Sequence, residues 1–185
     1  MQLIVILSGP SGVGKDSIIQ EIVKKDDNFI IPITMTSRSK RNNEEEAKDY
    51  FFVSKNAFQS KIDNKELIES SSTYSDFYGL PKFSMNAALS TGKNVLLRLD
   101  TQGTLNLVKQ YSNTVSIFIS PENIDQLIEQ INNRDQDKKS EIKKRMQIAK
   151  EEIAKANLFD HVVLNEKSKL NETVDIILDI IEYKK

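Results

Sequence analysis

The chain has 185 residues, of which 38% are hydrophobic and 29% are charged, and its formal net charge is −1. This length suits one domain with a packed core, and the near-neutral charge gives neither a basic surface for nucleic acid nor an acidic tail. The sequence has no cysteine, which excludes disulfides and thiolate chemistry, and no stretch approaches the roughly 18 apolar residues of a membrane helix. We therefore expect a cytoplasmic protein without nucleic-acid or membrane partners.

The first predicted element is a buried strand over residues 3–7, an uninterrupted apolar run that ends at Ser8, Gly9 and Pro10. Its lack of a basic flank indicates a strand rather than a secretory signal. An organellar location would require that a transit peptide had been removed from a longer precursor. Behind the glycines, a helix up to Lys25 is predicted from apolar residues at helical spacing: Ile18, Ile19, Ile22 and Val23.

Between this strand and this helix, residues 9–17 nearly match the phosphate-loop pattern G-x-x-x-x-G-K-[ST]. The backbone N–H groups of such a loop and the positive end of the following helix hold phosphate, and Lys15 adds a charge for the outer phosphates. A glycine-rich turn can also be merely structural, but here the spacing, the lysine and the flanking elements all favour nucleotide binding. The predicted ATP-binding residues of this phosphate loop are Gly9, Pro10, Ser11, Gly12, Val13, Gly14, Lys15, Asp16 and Ser17.

The hydroxyl that normally follows the loop lysine is displaced by one position, because Asp16 stands in its place and Ser17 comes next. A carboxylate beside phosphates is repulsive unless a cation lies between them. One hypothesis is therefore that Asp16 orients a magnesium ion while Ser17 contacts phosphate. The alternative, which we favour, is that Asp16 points away and caps the first helical turn.

Residues 34–90 interrupt the alternation of strands and helices, and they predict an inserted lobe with its own small sheet. Two short strand candidates, DYFFVS (49–54) and ELIESS (66–71), enclose a polar helical segment at 55–64. The lobe and the core belong to a single domain. The predicted core is the remaining chain, residues 1–33 and 91–185.

The core continues with three strand candidates, at 94–100, 114–120 and 161–164. Ser120 and Pro121 have the residue types of a helix N-cap and a first helical position. Three helices are predicted from apolar residues at helical spacing: Ile124, Leu127, Ile128 and Ile131; Ile142, Met146, Ala149 and Ile153; and Leu170, Val174, Ile177 and Ile181. The charged segment 132–141 predicts a short flap. Together, these elements predict an α/β fold, a doubly wound parallel sheet with its ligand at the carboxyl ends of the strands.

The inserted lobe begins with an arginine-rich segment that carries Arg38, Arg41, Glu44 and Tyr50. Two guanidinium groups and a tyrosine can converge on one phosphate, since guanidinium binds phosphate oxygens bidentately. Taken alone, the segment is better explained as a solvated charged loop.

It is not alone, because ordered motifs extend over nearly the whole chain. The pattern T-[ST]-R-x-x-R-x-x-E, followed by D-Y-x-F, appears as TSRSKRNNE (36–44) and DYFF (49–52). Further motifs are ELIE (66–69), Tyr78 with Gly79, DTQG (100–103), the arginines Arg134 and Arg145, and FDHVVLN (159–165). With these motifs the chain resembles the guanylate kinase family.

The resemblance implies transfer of the terminal phosphoryl group of ATP to GMP, with magnesium, by a P-loop fold whose inserted lobe binds GMP. We expect dGMP to be accepted as well, because no residue that we identify reads the 2′-hydroxyl. It assigns ATP to the phosphate loop and Asn165, and it makes Lys15, Arg134 and Arg145 catalytic. It assigns GMP to Arg38, Arg41, Glu44, Tyr50, Glu69, Tyr78 and Asp100. Of these, Glu69 and Asp100 face the guanine, whose N–H donors at N1 and N2 suit carboxylate acceptors. Phosphoryl transfer needs positioning and charge, so the single His161 is expected to be packed rather than catalytic.

The sequence departs from the family pattern at Asp16, Ala47, Leu80, Arg98 and Gln130. Leu80 replaces a serine or threonine that contacts the base oxygen, and Arg98 stands where an acidic residue is common. Because Leu80 cannot donate a hydrogen bond, we expect the guanine pocket to depend on Glu69 and Asp100.

Two rival interpretations remain open. The GKDS sequence at the loop also resembles ribose 1,5-bisphosphate kinases, although Glu69 and Asp100 argue against an acceptor that lacks guanine. The chain could also be an inactive kinase-like domain that binds proteins, but such domains usually lose the loop lysine or the glycines. A homodimer is compatible with the sequence, which does not determine the oligomeric state.

Overall fold

The computed structural model describes residues 1–73, 76–124, 127 and 139–184, and it describes only the backbone at residues 73 and 139–145. Most of the predicted flap therefore lies outside the described residues, and its last part, residues 139–141, is the start of a helix. Also outside the description are Gln130 and Arg134, the helical-face residues Ile128 and Ile131, and the side chains of Ile142 and Arg145.

Within the described residues, the strands form two sheets. The strands are β1 (Ile4–Ser8), β2 (Phe29–Ile30), β3 (Thr34–Thr36), β4 (Tyr50–Phe52), β5 (Leu67–Thr73), β6 (Asp76–Pro81), β7 (Asn94–Arg98), β8 (Thr114–Pro121) and β9 (His161–Asn165). The helices are α1 (Lys15–Lys25), α2 (Lys55–Asp63), α3 (Lys82–Leu89), α4 (Thr101–Leu107), α5 (Lys139–Ile153) and α6 (Leu170–Tyr183), with a 3-10 turn at Ala156–Leu158. The larger sheet is parallel, with the strand order β2-β7-β1-β8-β9, and this confirms the predicted α/β class.

The central strand β1 is buried along its whole length because helices cover both faces of the parallel sheet. Leu3, Val5 and Leu7 belong to an apolar cluster with α1 and α6, whereas Ile4 and Ile6 belong to a second cluster with α3 and α4. This two-sided burial explains why the strand is apolar without alternation. It also places the residues after β1 at the open carboxyl edge of the sheet, where ligands bind in such folds.

The smaller sheet has the order β4-β3-β6-β5 and lies within the predicted inserted lobe. Strands β3 and β4 are parallel, and the other two pairings are antiparallel. Helix α2 begins after Ser54, whose side chain accepts a hydrogen bond from the N–H of Ala57 at 3.1 Å. Its Phe58 is fully buried and stacks on Phe77 of β6, with the ring centroids 5.4 Å apart. The helix is thereby fixed to the sheet.

Two predicted element boundaries are wrong. Ser120 and Pro121 do not start a helix, because both continue β8 and pair with Leu164 and Asn165 of β9. The predicted strand at 94–100 ends at Arg98. Asp100 instead caps α4, a helix that the sequence patterns did not predict, by accepting a hydrogen bond from the N–H of Gly103 at 2.7 Å.

The closing helix α6 buries Val174, Ile177 and Ile181, as predicted. Leu127 and Ala149 are also buried as expected, but Ile124 is 40% exposed and does not face the core. No helix in the described ranges combines the length and the apolar character that crossing a membrane would need.

Candidate active site

The phosphate loop lies between β1 and α1, and close contacts make glycine necessary at Gly9 and Gly14. Gly9 has φ +135°, and a Cβ there would lie 2.3 Å from the carbonyl oxygen of Ile119 in β8. Gly14 has φ +97° and forms the N-cap of α1, where a Cβ would lie 2.7 Å from the side-chain nitrogen of Asn165. The loop is thereby pressed against the sheet, with the N–H end of α1 directly behind it.

Lys15 and Asn165 are both hydrogen-bonded to the backbone of this loop. The Nζ of Lys15 donates to the carbonyl oxygens of Gly9 at 2.5 Å and Pro10 at 3.0 Å. The Nδ2 of Asn165 donates to the carbonyl oxygen of Val13 at 2.8 Å, and its Oδ1 accepts from Thr173 in α6 at 3.0 Å. Asn165 therefore supports the loop, and a direct contact with ATP stays a prediction.

On the lobe side, an ion pair holds the first predicted phosphate-binding arginine. Arg38 donates from Nη1 and Nη2 to the two carboxylate oxygens of Glu44 at 2.7 and 2.5 Å, and both side chains are 13% exposed. The hydrogen bond from Arg38 lowers the pKa of Glu44. Glu44 also accepts from the backbone N–H of Arg41 at 2.9 Å, so it fixes the arginine-rich segment in place. Arg41 itself is exposed.

Tyr50 lies at the centre of this region. The guanidinium carbon of Arg38 is 5.1 Å from the centroid of the Tyr50 ring, within the range of a cation–π interaction. The ring of Tyr78 meets that of Tyr50 edge-on, with the centroids 6.3 Å apart. Burial raises the pKa of Tyr50, so its hydroxyl keeps its proton at neutral pH. The resemblance assigns five residues of this region to GMP, the phosphoryl acceptor, and we call them the acceptor clamp: Arg38, Arg41, Glu44, Tyr50 and Tyr78.

Two carboxylates, predicted to face guanine, converge beyond the clamp. Glu69 in β5 is 7% exposed, and its Oε2 has no hydrogen-bond partner among the described residues. Burial, with a smaller contribution from Asp100, raises the pKa of Glu69 to about 8. A Cβ at Gly103 would lie 2.6 Å from Oε2 of Glu69 and 3.2 Å from Oδ1 of Asp100. The first turn of α4 therefore brings the two carboxylates together.

One cavity of about 430 Å³ connects the loop with the clamp and the carboxylate pair. Among the residues predicted for the site, those that line it are Gly9, Ser11, Lys15, Tyr50, Glu69, Tyr78 and Asp100. Those that do not line it are Pro10, Gly12, Val13, Gly14, Asp16, Ser17, Arg38, Arg41, Glu44 and Asn165.

Sequence reasoning missed several residues that line this cavity, notably Glu152 on α5. Burial raises the pKa of Glu152 to about 7, although the charge of Lys15 acts in the opposite direction. Glu152 lies in a helix rich in charged residues, so no pattern marks it. The other residues missed on the cavity wall are Thr34, Ser71, Ser72, Gly79, Arg98, Leu99, Thr101, Gln102, Ile148, Glu151 and Lys155.

Two of the departures from the family pattern contact each other. Asp16 does not point away from the site, because its Oδ1 accepts a hydrogen bond from Nη1 of Arg98. The other terminal nitrogen of Arg98 donates to the hydroxyl of Tyr50. Neither the capping hypothesis nor the magnesium hypothesis anticipated this ion pair. In the part of the chain that the structure describes, no cluster of three or more His, Asp or Glu side chains could hold a metal ion.

A third departure, Leu80, lies away from the cavity. It is fully buried in the same apolar cluster as Met85 and Leu97, between the lobe and the parallel sheet. Leu80 also pairs in register with Glu69 of β5, and a contact between this position and the base stays a prediction. Its neighbour Gly79 lines the cavity instead.

A glycine loop between a buried parallel strand and a helix, opposite a clamp of arginine and tyrosine, defines a P-loop nucleotide-binding α/β protein. The sequence profile described as guanylate kinase matches residues 1–184. The chain therefore belongs to the guanylate kinase family.

Individual relatives agree with this assignment. The chain is 35% identical over 176 residues to the guanylate kinase of Thermotoga maritima, covering 95% of this chain and 84% of that protein. It is 39% identical over 164 residues to that of Carboxydothermus hydrogenoformans, covering 89% and 80%. Among solved structures, guanylate kinase from Anaplasma phagocytophilum superposes with a TM-score of 0.80 at 28% identity, covering 99% of this chain and 86% of that one.

Proposed function

We propose that this protein transfers the terminal phosphoryl group of ATP to GMP, giving ADP and GDP, and that it also accepts dGMP. The observation that carries the proposal is one cavity lined by the phosphate loop, by Tyr50 and Tyr78 of the clamp, and by the pair Glu69 and Asp100. A nucleoside monophosphate fits between the clamp and the pair because it carries a phosphate and a base at opposite ends, and the loop is left for ATP. Guanine suits the pair because it presents two N–H donors, and Oε2 of Glu69 has no partner among the described residues.

The chemistry asks the protein to position two nucleotides and to neutralise charge. In this proposal the backbone N–H groups of the phosphate loop and Lys15 hold the phosphates of ATP. Arg38, which Glu44 orients, holds the phosphate of GMP together with Arg41 and the hydroxyls of Tyr50 and Tyr78. The inserted lobe, residues 34–90, closes on GMP and excludes the water that would otherwise accept the phosphoryl group. Arg134, from the flap, and Arg145, from the helix that follows it, act on the transferring group.

Magnesium is part of the proposal as a companion of ATP. Mg²⁺ commonly keeps several waters and binds through one or two carboxylates together with substrate phosphates, so it needs no cage of protein ligands. The oxygen donors that this chain offers beside the loop are the carboxylate of Asp16, which is 44% exposed, and the hydroxyl of Ser17. When bound, the ion would neutralise charge on the phosphates.

The cellular setting is also a proposal. The balanced charge and the apolar distribution favour a cytoplasmic enzyme that acts on small molecules, without nucleic-acid or membrane partners. A homodimer is compatible with these observations, and light scattering would determine the oligomeric state.

The test is an acceptor panel with ATP as donor. Formation of ADP is followed with GMP, dGMP, AMP, CMP, UMP and ribose 1,5-bisphosphate, and products are identified by mass spectrometry. We expect rapid conversion of GMP and dGMP and slow conversion of AMP, because a site that hydrogen-bonds a substrate group rejects its absence by about 10⁴-fold or more. Preferential conversion of ribose 1,5-bisphosphate would contradict the proposal, as would the absence of any transfer.

A further inference from the structure

Arg98 occupies the boundary between the phosphate loop and the acceptor clamp. It is the last residue of β7 and pairs in register with Leu7 of β1, immediately before the loop begins. Its planar guanidinium group donates in two directions, to the carboxylate of Asp16 on α1 and to the hydroxyl of Tyr50 on β4. The same guanidinium carbon lies 5.3 Å from the centroid of the Tyr50 ring. One side chain therefore connects three elements around the cavity.

The contact with Arg98 determines how the Tyr50 hydroxyl is oriented. Arginine has only donors, so in this hydrogen bond the phenolic oxygen must be the acceptor. The hydrogen of the Tyr50 hydroxyl then points elsewhere, where it can be donated to an oxygen of the acceptor phosphate. Because the phenolic oxygen accepts a hydrogen bond from a cation, the O–H group is also polarised and becomes a stronger donor. Since burial raises the pKa of Tyr50, the phenol retains this hydrogen at neutral pH.

Asp16 orients the guanidinium group that makes this contact. Arg98 and Asp16 are 32% and 44% exposed, and pairs this exposed contribute little to stability on their own. Arg38 lies near the same ring and is balanced by Glu44 in the same way. Two arginine–carboxylate pairs thus meet at Tyr50, one from the lobe and one from the loop.

We infer that Arg98 is a positioning residue for the acceptor nucleotide: held by Asp16, it presents the Tyr50 hydroxyl as a donor to the phosphate of GMP. This inference rests on the proposed function and adds to it a residue outside the arginine-rich segment. It also assigns Asp16, the carboxylate that follows the loop lysine, a role on the GMP side of the cavity.

The experiment removes both members of the Arg98–Asp16 ion pair together. The double variant Arg98→Met/Asp16→Asn keeps both side chains near their original size, and KM for GMP, KM for ATP and kcat are measured. The matched control is Lys25→Met/Asp175→Asn, because this pair also involves α1 and its cation is also 32% exposed. Thermal denaturation confirms that each variant is folded.

We expect the Arg98 double variant to raise KM for GMP by about 10- to 100-fold, the effect of a lost charge-assisted hydrogen bond. KM for ATP should rise much less than KM for GMP, because in the proposed function Asp16 contributes to the ATP side only as a donor to magnesium, and the control should change neither constant. Adding Tyr50→Phe to the double variant should cause little further loss, because both changes remove the same contact. Arg98→Lys, which keeps the charge but not the planar fork, should give an intermediate KM for GMP and serves if the double variant does not fold.

An equal rise in both Michaelis constants, or no larger effect than in the control, would overturn the inference while leaving the proposed function intact. Additive losses from Tyr50→Phe and the double variant would also overturn it, since Arg98 would then act independently of Tyr50. A wild-type protein that neither binds nor phosphorylates GMP would overturn the proposed function, and the inference with it.

Discussion

The phosphate loop and the acceptor clamp both handle phosphate, but they are built differently. The loop is a contiguous backbone structure in which Gly9 and Gly14 adopt left-handed φ values and press against β8 and Asn165. The clamp is made of side chains from β4, β6 and the segment before β4, held by ion pairs such as Arg38 with Glu44. The loop therefore depends on space for the main chain, whereas the clamp depends on charge. Substitutions in the loop and in the clamp should therefore have different effects on stability and on nucleotide binding.

The largest effect should come from a methyl group on the loop. Gly9→Ala places a Cβ 2.3 Å from a carbonyl oxygen of β8, and that strand cannot retreat because it is paired on both sides. Such a contact with backbone must displace the loop, so we expect loss of activity and destabilisation by more than about 3 kcal/mol.

The control for this change is Gly92→Ala. Gly92 also has a positive φ, +74°, but nothing lies within 4 Å of its Cβ position. The Gly92→Ala variant should be destabilised by only about 1–2 kcal/mol, the cost of a left-handed backbone, and it should keep its activity. Chemical denaturation and steady-state rates compare the two variants. Similar losses in both would mean that strain, and not the close approach to β8, makes glycine necessary in the loop.

The next effect concerns Glu69 and pH. Because its pKa is raised from 4.5 to about 8, the folded protein keeps this carboxyl neutral where the unfolded chain ionises it. The folded state then binds more protons between about pH 4.5 and 8, so the free energy of unfolding should fall as pH rises through that window. The full loss is on the order of 4 kcal/mol, and Glu69→Gln should abolish it. Denaturant unfolding of both proteins at pH 5 and pH 9 measures the difference.

The same carboxyl should couple GMP binding to proton release. The N–H donors of guanine favour the ionised form, so affinity for GMP should increase with pH up to about 8 and then level off. Calorimetry in buffers of different ionisation enthalpy would detect the released proton. A pH-independent affinity would show that Glu69 does not accept from the base.

Variants at Leu80 test whether this position takes part in GMP binding. Its burial beside Met85 predicts that Leu80→Ser costs about 3 kcal/mol of stability, through lost packing and an unsatisfied hydroxyl. Leu97→Ser is the matched control, because Leu97 is fully buried in the same cluster. Neither variant should improve GMP binding. Tighter GMP binding by Leu80→Ser, but not by Leu97→Ser, would show that position 80 contacts the base.

The smallest effect should follow from Asn165→Ala, which removes the side-chain bonds to Val13 and Thr173. Two neutral hydrogen bonds predict a loss of about 1–2 kcal/mol, with a modest rise in KM for ATP and none for GMP. Unfolding curves and steady-state rates measure both. A loss of GMP affinity instead would mean that Asn165 does more than support the loop.

The difference between loop and clamp also explains what could be predicted from the sequence. Spacing alone indicated the loop, the strand before it and the helix after it, because these elements are contiguous. The carboxylate pair was indicated only by the family motifs, since Glu69 in β5 and Asp100 at the N-cap of α4 are distant in the chain. The same motifs did not indicate that Leu80 is buried in an apolar cluster, because they record which residue occurs and not which way it points.

Other errors came from local chemistry that has more than one outcome. Ser120 and Pro121 suit a helix start, yet pairing with β9 extends the strand through them. Asp100 was assigned to a strand although aspartate is a frequent N-cap, which is its position at α4. The contact between Asp16 and Arg98 could not be predicted, because the two residues are 82 positions apart and each departs from the family pattern.

The division of labour between loop and clamp is tested most directly by calorimetric titration of Lys15→Met and Arg41→Met with ADP and with GMP separately. The Nζ of Lys15 donates to two carbonyl oxygens of the loop, and Arg41 is exposed in the lobe, so each change should act mainly on its own region. We predict that Lys15→Met weakens ADP by about 10-fold or more and leaves GMP unchanged, while Arg41→Met does the reverse. If both variants lost affinity for both nucleotides equally, the loop and the clamp would not be separate recognition devices.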